Sequence, residues 1–92
     1  MTESITINVL FFASAREAAG NISNTTLELT KEESTTAGLR NKLADKYPGL
    51  ASMVKDEDNL TLALNEEYVT SGQVLPLKGG DTVALIPPIS GG

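Results

Sequence analysis

The chain has 92 residues, of which 40% are apolar and 21% charged. That is one globular domain, since a hydrophobic core usually needs roughly 50–200 residues, with little core to spare for a deep pocket. Seven Lys+Arg against twelve Asp+Glu give a formal charge of −5, which argues against a nucleic-acid binder, since that needs a basic face, and favours a partner with a basic groove.

Two absences narrow the chemistry. There is no Cys, so there is no disulfide and no thiol nucleophile, and no His, so the commonest general base and metal ligand are missing. Ser–His–Asp and Cys–His catalysis cannot be assembled within this chain. No apolar run approaches the roughly 20 residues of a membrane span. Met1-Thr2-Glu3-Ser4 has no basic region leading into an apolar one, so no signal peptide is read there. The expectation is a cytoplasmic domain that binds no membrane, no nucleic acid, no metal and no cofactor. Its chemistry is borrowed from a partner or supplied by an unusual group.

In chain order, Ile5 to Phe12 alternates as a strand, with Ile5, Ile7, Val9 and Phe11 on one face and Thr6, Asn8, Leu10 and Phe12 on the other. Its second half is apolar on both faces, as in a central strand. Ala13 to Asn24 reads as a polar loop, and Thr25 to Thr30 as a strand forming a hairpin with the first. Ser34, Thr35 and Thr36 offer N-cap hydroxyls, with Glu32 and Glu33 placed to favour a helix start. Leu39, Leu43 and Tyr47 recur at i, i+4 and i+8 as one core-facing stripe, and Pro48-Gly49 ends that helix. Lys55 to Asn59 is a charged loop and Leu60 to Asn65 a third strand. Asn65-Glu66-Glu67 turns into a short strand at Tyr68-Val69. Gly79-Gly80-Asp81 reads as a hairpin turn, since no Lys-Ser/Thr follows to make a phosphate loop. Thr82 to Ile86 is the last strand, with Val83 and Leu85 inward. One main helix must then cover one face of a single mixed sheet, an α+β arrangement that suits a ubiquitin-like β-grasp domain over residues 1–88.

The last residues, Ile86-Pro87-Pro88-Ile89-Ser90-Gly91-Gly92, carry the most specific signal. Two prolines end the sheet and project a stiff tail. Two glycines let a terminal carboxylate enter a narrow channel in almost any backbone geometry. That carboxylate, once activated by ATP as a mixed anhydride, is the reactive group the side chains fail to provide. The other reading of such an end is a frayed terminus.

At these residues the chain resembles the small, sulfur-carrier subunit of molybdopterin synthase. The resemblance rests on VLFFASAREAAG at Val9 to Gly20, ALNEEYV at Ala63 to Val69 and LKGGDTVALIPPISGG at Leu77 to Gly92. It implies that a ubiquitin-activating-like adenylyltransferase adenylates the Gly92 carboxylate with ATP. A sulfur donor converts the adenylate to a thiocarboxylate. The flexible tail of residues 89–92 (Ile89, Ser90, Gly91 and Gly92) then inserts into the large subunit, in an expected heterotetramer. There the sulfur passes to cyclic pyranopterin monophosphate to form molybdopterin. The pterin-handling residues are implied to lie in the large subunit.

If the first and last strands are neighbours, Phe12 and Ile86 share an exposed face near the root of the tail, where Tyr68 joins them. An exposed apolar patch of this kind marks an interface. The resemblance points to Phe12, Arg16, Tyr68 and Ile86 for partner contacts, with Pro87 and Pro88 at the tail root. The alternatives at these positions are that Phe12 tucks under the following loop and that Arg16 simply pairs with Glu17. Asp56-Glu57-Asp58 and Glu66-Glu67 read as solvated acidic surface rather than metal carboxylates. Other readings of the whole chain are a sulfur carrier for transfer-RNA thiolation or for thiazole or cysteine synthesis, a ubiquitin-like modifier joined to lysines, and an interaction module with an inert tail.

Overall fold

The computed structural model describes residues 4–55, 60–70 and 73–87. In chain order the strands and α-helices are β1 (Ser4–Phe11), α1 (Ala13–Ala18), β2 (Asn24–Thr30), α2 (Thr36–Lys46), α3 (Ala51–Lys55), β3 (Thr61–Leu64), β4 (Glu67–Tyr68) and β5 (Thr82–Ile86). Short 3-10 turns at Lys31–Glu33 and Pro48–Leu50 precede α2 and α3. The five strands form one mixed sheet in the order β2-β1-β5-β3-β4. β1 and β5 run parallel, and the other neighbours are antiparallel. The richly apolar first and last strands therefore lie inside the sheet, as their sequences require.

The period-2 pattern decides which face is buried. Ile7, Val9 and Phe11 of β1, Leu27 and Leu29 of β2, Leu62 of β3, and Val83 and Leu85 of β5 point into one core. Leu39, Leu43 and Ala44 of α2 meet them there, with Leu50 and Val54. Each fully buried Leu or Val contributes about 1.5–3 kcal/mol relative to exposure. Tyr47, expected in the core stripe, is only half-buried, because it caps α2. Its ring meets Phe11 edge-on at 5.6 Å between centroids, and the Lys46 ammonium lies 5.8 Å from the centroid of the same ring.

The start of α2 follows the expected chemistry. The Thr35 hydroxyl accepts from the Gly38 N–H at 3.0 Å. Glu33 belongs to the preceding 3-10 turn instead, where its carboxylate accepts from the Thr30 N–H at 3.0 Å in a capping box. Buried Thr36 holds the long connection to β5: its N–H donates to Leu75 O and its hydroxyl accepts from Leu75 N–H. Arg40 donates from Nη1 to Val54 O at 2.8 Å and from Nη2 to Leu60 O at 3.4 Å, so it clamps both sides of the 56–59 connection.

Three expectations are corrected. The segment read as a polar loop contains α1, whose Ala15 and whose following residue Ala19 reach the core. Alanines leave little apolar periodicity to read, yet they favour helix. Pro48-Gly49 does end α2, but Pro48 also opens the 3-10 turn that leads into α3, a position where its missing N–H costs nothing. Gly79-Gly80 is a turn closed by Asp81 N–H donating to Lys78 O at 3.1 Å. It is not a hairpin turn, because the strand that follows pairs with β1 and β3 rather than with what precedes it.

Gly38 is fixed by close approach, since a Cβ there would press into the Glu33 backbone. Gly38→Ala is expected to lower stability by about 1–3 kcal/mol, the usual cost of overpacking. Urea unfolding of the two proteins measures it.

Candidate functional site

The face of the sheet opposite the helices carries the alternate residues of the same strands. Register builds it row by row. Leu10 lies opposite Ala84, Ala84 opposite Ala63, and Ala63 opposite Tyr68. In the next row Ile86 lies opposite Thr61. Phe12, whose N–H donates to Leu85 O at 3.2 Å, continues β1 beside it. The small side chains of Ala63 and Ala84 form a low floor, and Leu10, Phe12, Tyr68 and Ile86 rise around it. The result is an open apolar groove.

Exposure makes this groove unlike a core. Phe12 is 47% and Tyr68 74% exposed. Phe12 does not tuck beneath the following segment. It ends β1 as the N-cap of α1, and the next residue, Ala13, takes a left-handed φ of 50° that turns the chain away. The third large exposed apolar side chain among the described residues, Val74, lies outside the groove, in the connection to β5.

A polar brace fixes the far end of the groove. Asn65 and Glu66 have φ of 49° and 74° and form the two-residue turn between β3 and β4, as tight hairpins demand. Asn65 Nδ2 donates to Asp81 Oδ1 at 3.0 Å, and Asn65 Oδ1 accepts from Thr82 N–H at 2.9 Å. Lys78 N–H donates to Asp81 Oδ2 at 2.9 Å. Asp81 is buried. Burial pushes its carboxyl up, but the hydrogen bonds from Asn65 and Lys78, with the Lys78 charge, hold it below the usual carboxylate range. A non-glycine residue in left-handed backbone costs about 1–2 kcal/mol, and Glu66 carries that strain at the rim of the groove.

Phe12, Tyr68 and half-buried Ile86 therefore come together on one face. Arg16 is exposed on α1 and does not line the groove; among the described residues it makes no ion pair with Glu17. Pro87, read as a partner contact, is buried, because the alternation of β5 carries on past Ile86. Pro88, Ile89, Ser90, Gly91 and Gly92 lie outside the described residues, as do Asp56, Glu57 and Asp58. Among the described residues no three His, Cys, Asp or Glu side chains could hold a metal ion, and no helix is long and apolar enough to cross a membrane. Sequence reasoning missed the Asn65–Asp81 brace and the alanine floor. The signal for the brace is an Asn in the turn before one strand and an Asp just before another, and only register shows that they meet.

The profile of the ThiS family matches residues 9–92. A protein of Chlamydomonas reinhardtii named molybdopterin synthase sulfur carrier subunit is 42% identical over 86 residues, spanning 94% of this chain and 98% of that protein. One of the same name from Drosophila melanogaster is 43% identical over 90 residues, spanning 96% and 92%. Among solved structures, small archaeal modifier protein 1 of Methanosarcina acetivorans superposes with a TM-score of 0.78 at 26% identity, covering 98% of this chain and 99% of that one. A chain in a complex of subunits 1 and 2 of the molybdopterin-converting factor of Helicobacter pylori superposes with a TM-score of 0.65 at 26% identity, covering 96% and 100%. The fold is thus the ubiquitin-like α+β fold read from the sequence.

The brace gives a signed pH dependence. Because the folded-state pKa of Asp81 is depressed, its contribution to stability is fully present above its ordinary value of 3.8 and is lost as pH falls through the lower folded value. Asp81→Asn turns one accepting oxygen into a donor facing a donor. It is expected to cost about 1–3 kcal/mol at pH 7 and to flatten the acid limb below pH 3.8. Thermal melts from pH 7 to pH 2 on both proteins provide the test.

Proposed function

The chain belongs to the ThiS family, and we propose that it is the sulfur carrier subunit of molybdopterin synthase. The observation that carries this reading is the position of the apolar groove. It lies beside the end of β5, and the sequence runs on from there through Pro87-Pro88 to Gly91-Gly92. A docking face next to the root of a reactive end lets a partner hold the domain and receive the tail together. The names of the relatives support the pathway, and the two-subunit complex of the molybdopterin-converting factor supports a large-subunit partner.

In this reading the reactive group is the Gly92 carboxylate, as the lack of Cys and His leaves room for. One carboxylate oxygen attacks the α-phosphorus of ATP on a ubiquitin-activating-like enzyme, and pyrophosphate leaves. Sulfur delivered by a donor at the sulfide level attacks the acyl carbon of the adenylate and gives up its proton, and AMP leaves with the oxygen. The thiocarboxylate then inserts, as residues 89–92, into the large subunit. There the thiocarboxylate sulfur attacks a carbon of cyclic pyranopterin monophosphate and displaces an oxygen substituent. Water hydrolyses the resulting thioester to leave the sulfur on the pterin and a carboxylate on Gly92, and two such transfers build the dithiolene. Phe12, Tyr68 and Ile86 dock the domain, and Arg16, exposed on α1 outside the groove, makes a further partner contact. The subunit acts in the cytoplasm within a heterotetramer and binds no cofactor of its own.

The likeness to the archaeal modifier favours a second reading, a modifier joined to lysines through the same carboxylate. Fragment mass spectrometry after incubation with ATP, the cognate activating enzyme and a sulfur donor separates the two. The expected result is exchange of one oxygen for sulfur at Gly92, abolished when Gly92 is deleted while the melting temperature is kept. Isopeptide conjugates without free thiocarboxylate would move the assignment to a modifier.

A further inference from the structure

Glu66 is the charged residue among those that line the groove. It is exposed, and it makes no hydrogen bond or ion pair within the described residues. Its φ of 74° places it at the second central position of a two-residue turn, where glycine is the favoured residue. A glutamate there breaks a local rule with no compensating hydrogen bond or ion pair among the described residues, which is how functional positions stand out.

Placement says what the carboxylate does. Glu66 lines the groove near Thr82, and Ile86 lines it at the opposite end, where the chain leaves toward Gly92. Four residues of strand separate those ends, about 13 Å at 3.3 Å per residue. The floor between them is apolar and gives a partner contact area without direction. A single negative charge at one end gives it direction. We propose that Glu66 is a positioning residue of the docking face: its carboxylate pairs with a Lys or Arg of the large subunit at the end of the groove away from the tail, and so sets the direction in which the tail is presented. The net charge of −5 suits a basic counterpart. The inference rests on the reading of the chain as the carrier subunit of the synthase.

The test is the association rate of the full chain with the large subunit, measured at low and high salt for wild type, Glu66→Gln, Glu66→Lys and Glu66→Gly. A rim charge acts mainly on association and its salt dependence, so Glu66→Lys is expected to slow association about tenfold at low salt and much less at high salt. Glu66→Gln should slow it by a smaller factor and flatten the salt dependence. Glu66→Gly relieves the strained φ, so it should melt higher than wild type yet associate as slowly as Glu66→Gln. A purely structural role predicts the reverse, with association recovering in the better-folded variant. Reversing one basic residue of the large subunit should restore the rate of Glu66→Lys. Wild-type rate and salt dependence in Glu66→Lys would overturn the proposal. A wild-type chain that fails to bind the large subunit at all would overturn the carrier reading beneath it, a result distinct from the first.

Discussion

The parallel pairing of β1 with β5 at the centre of the sheet is the constraint on which the rest depends. Val9 lies opposite Val83 and Phe11 opposite Leu85, so the two most apolar strands share one ladder. Parallel neighbours cannot be joined by a tight turn. The chain therefore has to lay down β2, the helices, β3 and β4 before it returns. The same pairing brings the last strand to rest beside Phe12, which sets the exposed apolar groove, the proposed docking face, next to the end of β5. Fold and function here share one register.

The two faces of the sheet divide the work. The inward residues join α2 and α3 in one core, and every buried side-chain polar atom among the described residues has a hydrogen-bond partner. Their burial keeps the domain folded. The outward residues leave apolar area in water, with Tyr68 74% exposed. That costs solubility unless something covers it, and the acidic balance of the chain offsets the cost. The hydrogen bonds of Asn65 to Asp81 and Thr82 tie the β3–β4 turn to the start of β5 at the far end of this face.

The strands of this fold were legible because alternation is a strong signal. Ile7, Val9 and Phe11 could be assigned inward and Phe12 outward from spacing alone, and chemistry narrowed the cap of α2 to Ser34, Thr35 or Thr36, of which Thr35 serves. The short helices were not legible. Ala15 and Ala19 bury small side chains that carry little periodicity, and Pro48-Gly49 reads as a stop although it also begins a turn. For the site, Phe12, Tyr68 and Ile86 followed from strand order. Pro87 ends β5 as a residue without an N–H must, yet it is buried, and no spacing in the sequence announces that. The brace between Asn65 and Asp81 spans 16 positions, and no local pattern announces a contact that only strand register creates.

In the proposed function the uncovered face of the sheet, and not the helical face, receives the large subunit. Chemical-shift mapping on the isotope-labelled chain, titrated with unlabelled large subunit, tests it most directly. Perturbations are expected to concentrate on Leu10, Phe12, Ala63, Tyr68, Ala84 and Ile86 and to leave the exposed side of α2 unchanged. Perturbations centred on α2 and α3, with the groove unaffected, would contradict it.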